Sequence, residues 1–223
     1  MRERETFETR VVVVSPHLDD AVFSLGATIA RASRSGVPIE VLTVFACDPN
    51  SEAPANGWDA RGGFATEGEA ATARRGEDRE ACRLVGAEPH WLPFRGGGYT
   101  PDKDPDAVFE AVADRVSGAD TCLVPGFPLR NDDHAWLARL FDERPPSSAR
   151  FGRYVEQPYA FSVRKEQPLS GSEWERSPVT LADRLRKRRA VREYASQLPL
   201  LSLGPQRLNL LVLQREAISW SAA

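Results

Sequence analysis

Residues 11–20 read Val-Val-Val-Val-Ser-Pro-His-Leu-Asp-Asp, and this stretch constrains the chain more than any other. Four consecutive β-branched residues fit a strand buried on both faces. A turn carrying one imidazole and two adjacent carboxylates follows at once. In an open α/β sheet, ligands bind in the crevice outside the carboxyl ends of the strands. A histidine three residues before an aspartate brings His17 and Asp20 within reach of one divalent ion. The intervening Asp19 is then free to act as a base.

The rest of the chain repeats the strand–helix rhythm. Strand-like runs at Val11–Ser15, Ile39–Phe45, His90–Leu92 and Thr121–Pro125 alternate with helical patterns over Asp20–Ser33, Glu67–Val85, Pro105–Val116 and Asp133–Asp142. An extended segment, Arg153–Ser162, and a basic helix, Leu181–Ser196, come later, and the apolar run within 206–214 reads as a final strand. The expectation is one α/β domain over residues 1–223, a three-layer Rossmann-like fold with a mostly parallel sheet and helices on both faces. Long connections at 46–66, 93–104 and 163–180 stand out, since loops of this length in a compact domain are commonly functional lids or disordered. The first two follow strands, at the edge that carries His17, and at least one of them is expected to wall the pocket.

Composition removes several classes. At 223 residues and a net charge of −3, nothing argues for nucleic acid. No apolar run is long enough to span a membrane, and the start, Met1-Arg2-Glu3-Arg4-Glu5, lacks the apolar core of a signal peptide. Cys47, Cys82 and Cys122 are odd in number and widely spaced, which points to core thiols and a reducing cytoplasm. The oligomeric state is not legible.

Pro16-His17-Leu18-Asp19-Asp20 resembles the signature of the PIG-L/LmbE-like zinc de-N-acetylases, with Leu18 and Ala21 departing from the usual Pro/Ala-His-Pro-Asp-Asp-Glu. Four further stretches resemble that family in order along the chain: Arg75-Gly76-Glu77-Asp78; Asn131-Asp132-Asp133-His134; Tyr154-Val155-Glu156-Gln157-Pro158-Tyr159; and Lys187 with Tyr194-Ala195-Ser196-Gln197. The resemblance implies a metal-dependent hydrolase that removes an acyl group, acetyl in the first place, from an N-acylated small molecule such as an amino sugar. His134 joins His17 and Asp20 as the third metal ligand, with one position left open, the pattern of a catalytic zinc. Fe²⁺ or Mn²⁺ would accept the same ligands.

The same resemblance makes Asp19 the general base and places Asn131 where the family carries a histidine beside the developing oxyanion. An asparagine amide donates a hydrogen bond there but cannot ionise. Arg75, Tyr154 and Glu156 are the candidate substrate-binding residues. Plainer readings stand beside these. Asp19 or Asp20 caps the helix that follows, and Asp133 either caps its helix or orients an imidazole. Glu77 and Asp78 are surface charges, His90 is structural, and the Arg184–Arg189 cluster is a solvated helix face. The functional alternatives are an amidase of some other small amide and a binding protein that has lost turnover. A nucleotide-binding Rossmann domain is disfavoured, because two carboxylates replace the glycine-rich turn that phosphate needs.

Overall fold

The computed structural model describes residues 9–148, 150–162 and 174–221. Five parallel strands form most of one sheet: β1 (Val11–Ser15), β2 (Ile39–Thr43), β3 (Glu88–Trp91), β4 (Thr121–Phe127) and β5 (Arg150–Val155). Two short strands, β6 (Trp174–Arg176) and β7 (Ala217–Trp220), extend the far edge in antiparallel fashion, giving the order β3-β2-β1-β4-β5-β7-β6. β1 therefore lies between β2 on one side and β4 on the other. That is the switch point of the sheet, where a crevice opens at the carboxyl ends of β1 and β4.

The four valines explain the layering. Val11 and Val13 face one core with α1 (Asp20–Arg34), α3 (Glu67–Val85), α6 (Leu181–Glu193) and α7 (Pro205–Leu213). Val12 and Val14 face the other, filled by α4 (Pro105–Val116) and α5 (Asp132–Glu143). None of the four is more than 1% exposed, so each contributes about 1.5–3 kcal/mol of burial. Thr66 and Glu69 form a capping box at the start of α3, and Thr180 and Asp183 form another at α6.

The late elements depart from the pattern expected of them. The run at 206–214 is not a strand: Pro205 opens α7, and Leu208, Leu211 and Val212 are buried at helical spacing. The final strand is β7, beyond it. The extended segment Arg153–Ser162 is only half strand; β5 ends at Val155 and a 3₁₀ turn covers Tyr159–Ser162. Residues 163–173 of the third long connection lie outside the described residues. Connection 46–66 contains one short helix, α2 (Gly57–Arg61), capped by Asn56.

Three residues expected at the surface are structural pins. Asp78 is 1% exposed and accepts hydrogen bonds from Tyr194 Oη at 2.7 Å and Trp91 Nε1 at 2.8 Å. Glu77 accepts from the amide and hydroxyl of Ser196 at 2.8 and 2.7 Å. Lys187, inside the basic cluster, is fully buried and pairs with Glu216 at 2.6 Å. A charge-rich sequence conceals such pins because only the fold reveals which face of each helix turns inward.

Candidate active site

The turn after β1 is shaped by Ser15. Its hydroxyl donates to the His17 carbonyl at 2.7 Å and accepts from the Ala21 amide at 3.0 Å, closing the start of α1. Asp19 occupies the N-cap position, yet its side chain makes no capping bond. Asp20 turns back instead and accepts from the His17 amide at 2.9 Å. Across the crevice Asn131 caps α5 by accepting from the Asp133 amide at 2.8 Å, so Asp133 is spared that task and His134 projects from the first turn.

Three basic atoms converge here. His17 Nδ1 lies 3.2 Å from Asp20 Oδ2 and 3.1 Å from His134 Nε2, and His134 Nε2 lies 3.1 Å from Asp20 Oδ2. The near-equilateral triangle matches one face of a tetrahedron around a zinc-sized ion, whose ligand atoms stand about 3.3 Å apart. Among the described residues this trio is the one group arranged to hold a metal. Each imidazole is fixed from behind: Asp133 Oδ2 holds His17 Nε2 at 3.0 Å, and Glu156 Oε1 holds His134 Nδ1. Carboxylate–histidine pairs of this kind set the tautomer that leaves the other ring nitrogen free to ligate.

Asp133 is itself held on all sides. It accepts from the Gly97 amide at 2.9 and 3.0 Å and pairs with Lys103 Nζ at 2.8 Å. A Cβ on Gly96 would stand 2.5 Å from Asp133 Oδ2, so the glycine run is what lets the loop approach. The electrostatics follow from crowding. Burial opposes charge on His17, but Asp133 and Asp20 outweigh it and push the pKa up to about 9. Burial likewise disfavours ionised Asp20, yet His134 and His17 hold its pKa well below the usual range. Asp19 has burial and the neighbouring Asp20 charge against it, and its pKa is driven well up. Four carboxylates around two imidazoles are a setting in which a divalent cation fits.

Beside the triangle opens a cavity of about 470 Å³, lined by Asp19, Asn131, Trp58, Tyr99 and Arg74 among others. Connections 46–66 and 93–104 both contribute to its wall. None of the three expected substrate contacts lines it. Arg75 is not among the residues that line the cavity: Nε donates to the Ala46 carbonyl at 3.4 Å, Nη2 to that of Cys47, and the guanidinium lies over Trp91. The lining residue is its neighbour Arg74, which pairs with Asp59 and keeps Nε and Nη2 buried without a hydrogen-bond partner. One residue of helical rotation separates the two, and charge type alone could not choose between them. Tyr154 is wholly buried and donates to the Val14 carbonyl at 3.0 Å, a core contact. Glu156 is 1% exposed and its second oxygen accepts from the Leu129 amide at 2.9 Å, so it acts on His134 and does not face the cavity.

Sequence reasoning also missed Lys103, Asp59 and Tyr99, whose hydroxyl donates to Asp59. Lys103 and Tyr99 lie in an irregular connection and Asp59 in the one-turn helix α2, where no period marks a residue's direction. His90 is half-buried on the edge strand β3, away from the triangle.

Comparison with known proteins bears on family and fold. A sequence profile of the PIG-L family, described as GlcNAc-PI de-N-acetylase, matches residues 12–143. No curated protein matches the chain. Among solved structures, the A40926 pseudoaglycone deacetylase Dbv21 is 27% identical, aligns over 97% of this chain and 100% of its own, and superposes with a TM-score of 0.78. The zinc-inhibited form of teicoplanin deacetylase Orf2 is 21% identical over 95% and 97% of the two chains, with a TM-score of 0.76. GalB of Pseudomonas putida, a 4-carboxy-2-hydroxymuconate hydratase, shares the fold at 19% identity over 97% of each chain and a TM-score of 0.61.

Proposed function

The chain belongs to the PIG-L family of de-N-acetylases, and on that premise we propose that it is a zinc-dependent hydrolase removing an acyl group, acetyl first, from the nitrogen of an N-acylated amino sugar or glycoside. The observation that carries this reading is the His17–Asp20–His134 triangle with Asp19 buried beside it at the cavity. Dbv21, a deacetylase by name, superposes better than the hydratase GalB, which supports amide hydrolysis over hydration.

Bound at the triangle, a divalent metal supplies Lewis acidity to the acyl carbonyl and lowers the pKa of the attacking water. Asp19 takes the proton as water adds to the carbonyl carbon, and returns it to nitrogen as the C–N bond breaks and the amine leaves. Asn131 lines the same cavity and offers an amide N–H to the carbonyl oxygen as negative charge grows there. It cannot deliver a proton, which leaves Asp19 to do both transfers. Arg74, which lines the cavity and is paired with Asp59, places a positive charge where hydroxyl or other oxygen acceptors of the amine portion would lie. The three cysteines are free thiols, which supports a cytoplasmic setting.

Asn131 favours one other reading: a protein that binds metal and saccharide without turning over. The test is release of free amine from N-acetylglucosamine glycosides, with chelator and after zinc is restored. Release that is lost with chelator and regained with zinc is the expected result. Saccharide binding without release selects the binding protein, and neither binding nor release from any N-acyl amino sugar contradicts both.

A further inference from the structure

The described residues expose four large hydrophobic side chains, and all four lie on two helices: Leu181 and Leu185 of α6 and Leu210 and Leu213 of α7, at 69%, 47%, 56% and 63% exposure. These helices join on one side of the molecule. Arg184 reaches from α6 to the end of α7, where it donates to the carbonyls of Val212 and Gln214 at 2.9 and 2.8 Å. Leu181 and Leu185 flank Arg184 on the α6 surface, Leu213 sits between its two acceptors, and Leu210 is one turn back on α7. The leucines therefore share a face. The opposite side of α6 does the structural work, with Lys187, Ala190 and Val191 buried.

Charge is segregated to the same place. Residues 181–215 hold eight Lys and Arg against two Asp and Glu, in a chain of net charge −3. Arg186, Arg189, Arg192, Arg207 and Arg215 are exposed, whereas Asp183 is buried and Glu193 half-buried. A symmetric pairing of two copies through this face would set like charges together. The centre of a protein interface is depleted of charge and rich in aromatic residues. Here each exposed leucine has an arginine within one turn, and no aromatic side chain accompanies them. Leucines that enter the acyl boundary while arginines meet anionic headgroups are the pattern of a helix lying on a membrane surface.

We propose that the α6–α7 face is a docking surface for an anionic lipid bilayer, holding the protein peripherally by leucine insertion and arginine–headgroup attraction. No helix among the described residues is long and apolar enough to cross a membrane, so the attachment is interfacial and salt-sensitive.

The test is co-sedimentation of the full chain with phosphatidylcholine vesicles with and without phosphatidylglycerol. Two multiple variants accompany it: one carries Leu181→Ser, Leu185→Ser, Leu210→Ser and Leu213→Ser, the other Arg186→Gln, Arg189→Gln and Arg207→Gln. None of these residues lies at the active site. The protein should pellet with the phosphatidylglycerol vesicles and much less with pure phosphatidylcholine, each variant should weaken partitioning about tenfold or more, and molar salt should release the protein. Equal partitioning into both vesicles, no partitioning, or undiminished binding by the arginine variant would overturn the proposal. So would a concentration-dependent dimer abolished by the serine variant, which would give the face to a second copy. Circular dichroism checks folding; if the serine variant unfolds, the arginine variant and the salt series decide alone.

Discussion

Lys187 and Glu216 meet at 2.6 Å with neither side chain exposed. Glu216 also accepts from the amides of Ala27 and Thr28 at 3.0 and 2.7 Å and from the Thr28 hydroxyl at 2.5 Å. Every lone pair that matters is used, and the pair fastens α1 to α6 and β7. The cluster around His17 and His134 is equally charged but finished differently. Its outer atoms are satisfied by Asp133, Glu156, Gly97 and Lys103, whereas its inner atoms converge on one point at the cavity, beside an Asp19 that caps nothing and an Arg74 with two unpartnered donors. Buried charge that is saturated holds a fold together, and buried charge left unsaturated toward a cavity is available for a ligand.

That contrast breaks most visibly at Asp19. Asp19→Asn keeps the shape and removes the base, so metal content and folding should persist while turnover falls roughly 10²- to 10⁴-fold. Steady-state kinetics with metal analysis checks it; unchanged turnover would reduce Asp19 to an idle cap position. At the saturated cluster the effect should move to stability. Glu216→Leu strands a buried ammonium and should cost about 3–5 kcal/mol in denaturant unfolding, with kcat of the folded fraction intact. A loss of kcat without destabilisation would erase the distinction between the clusters.

Glu156 joins the two categories, being buried and saturated yet serving a ligand. In Glu156→Gln an amide N–H₂ must oppose either the Leu129 amide or the His134 ring donor. Metal affinity should fall about 10- to 100-fold in a competition titration, with turnover largely recovered at saturating metal. Failure of excess metal to restore turnover would assign Glu156 a direct part in the reaction. The smallest effect is expected at Cys47, a cavity-lining thiol whose pKa burial, Glu67 and Asp59 push up to about 12. It should remain a thiol at neutral pH, so iodoacetamide should leave turnover nearly unchanged; rapid inactivation prevented by Cys47→Ala would contradict this.

The legible and illegible parts of the chain divide along the same line. The valine strand and the Ser-Pro-His-Leu-Asp-Asp turn announce themselves because a buried strand admits few sequences and a helix start fixes directions at once. His134 is legible for the same reason, projecting from the first turn after a strand. The sequence favours Arg75 where Arg74 lines the cavity, because two adjacent arginines on a polar helix carry no period. Tyr154 and Glu156 belong to a motif whose residues act from behind the site, and a motif does not show which way its side chains point. The 206–214 run satisfied strand and helix alike; Pro205 was the deciding signal. Lys103 and Tyr99 sit in irregular connections, whose directions only tertiary packing sets.

The central claim is that His17, Asp20 and His134 form one metal site. Its most direct test is the zinc content, after reconstitution and removal of free metal, of the wild-type chain and of His17→Ala, Asp20→Ala and His134→Ala. Each substitution leaves only two protein ligands for an ion that takes three and a fourth position. The account predicts near-stoichiometric zinc in the wild type and little in any of the three folded variants. Zinc retained at wild-type level by folded His134→Ala, or absent from the wild type itself, would contradict it.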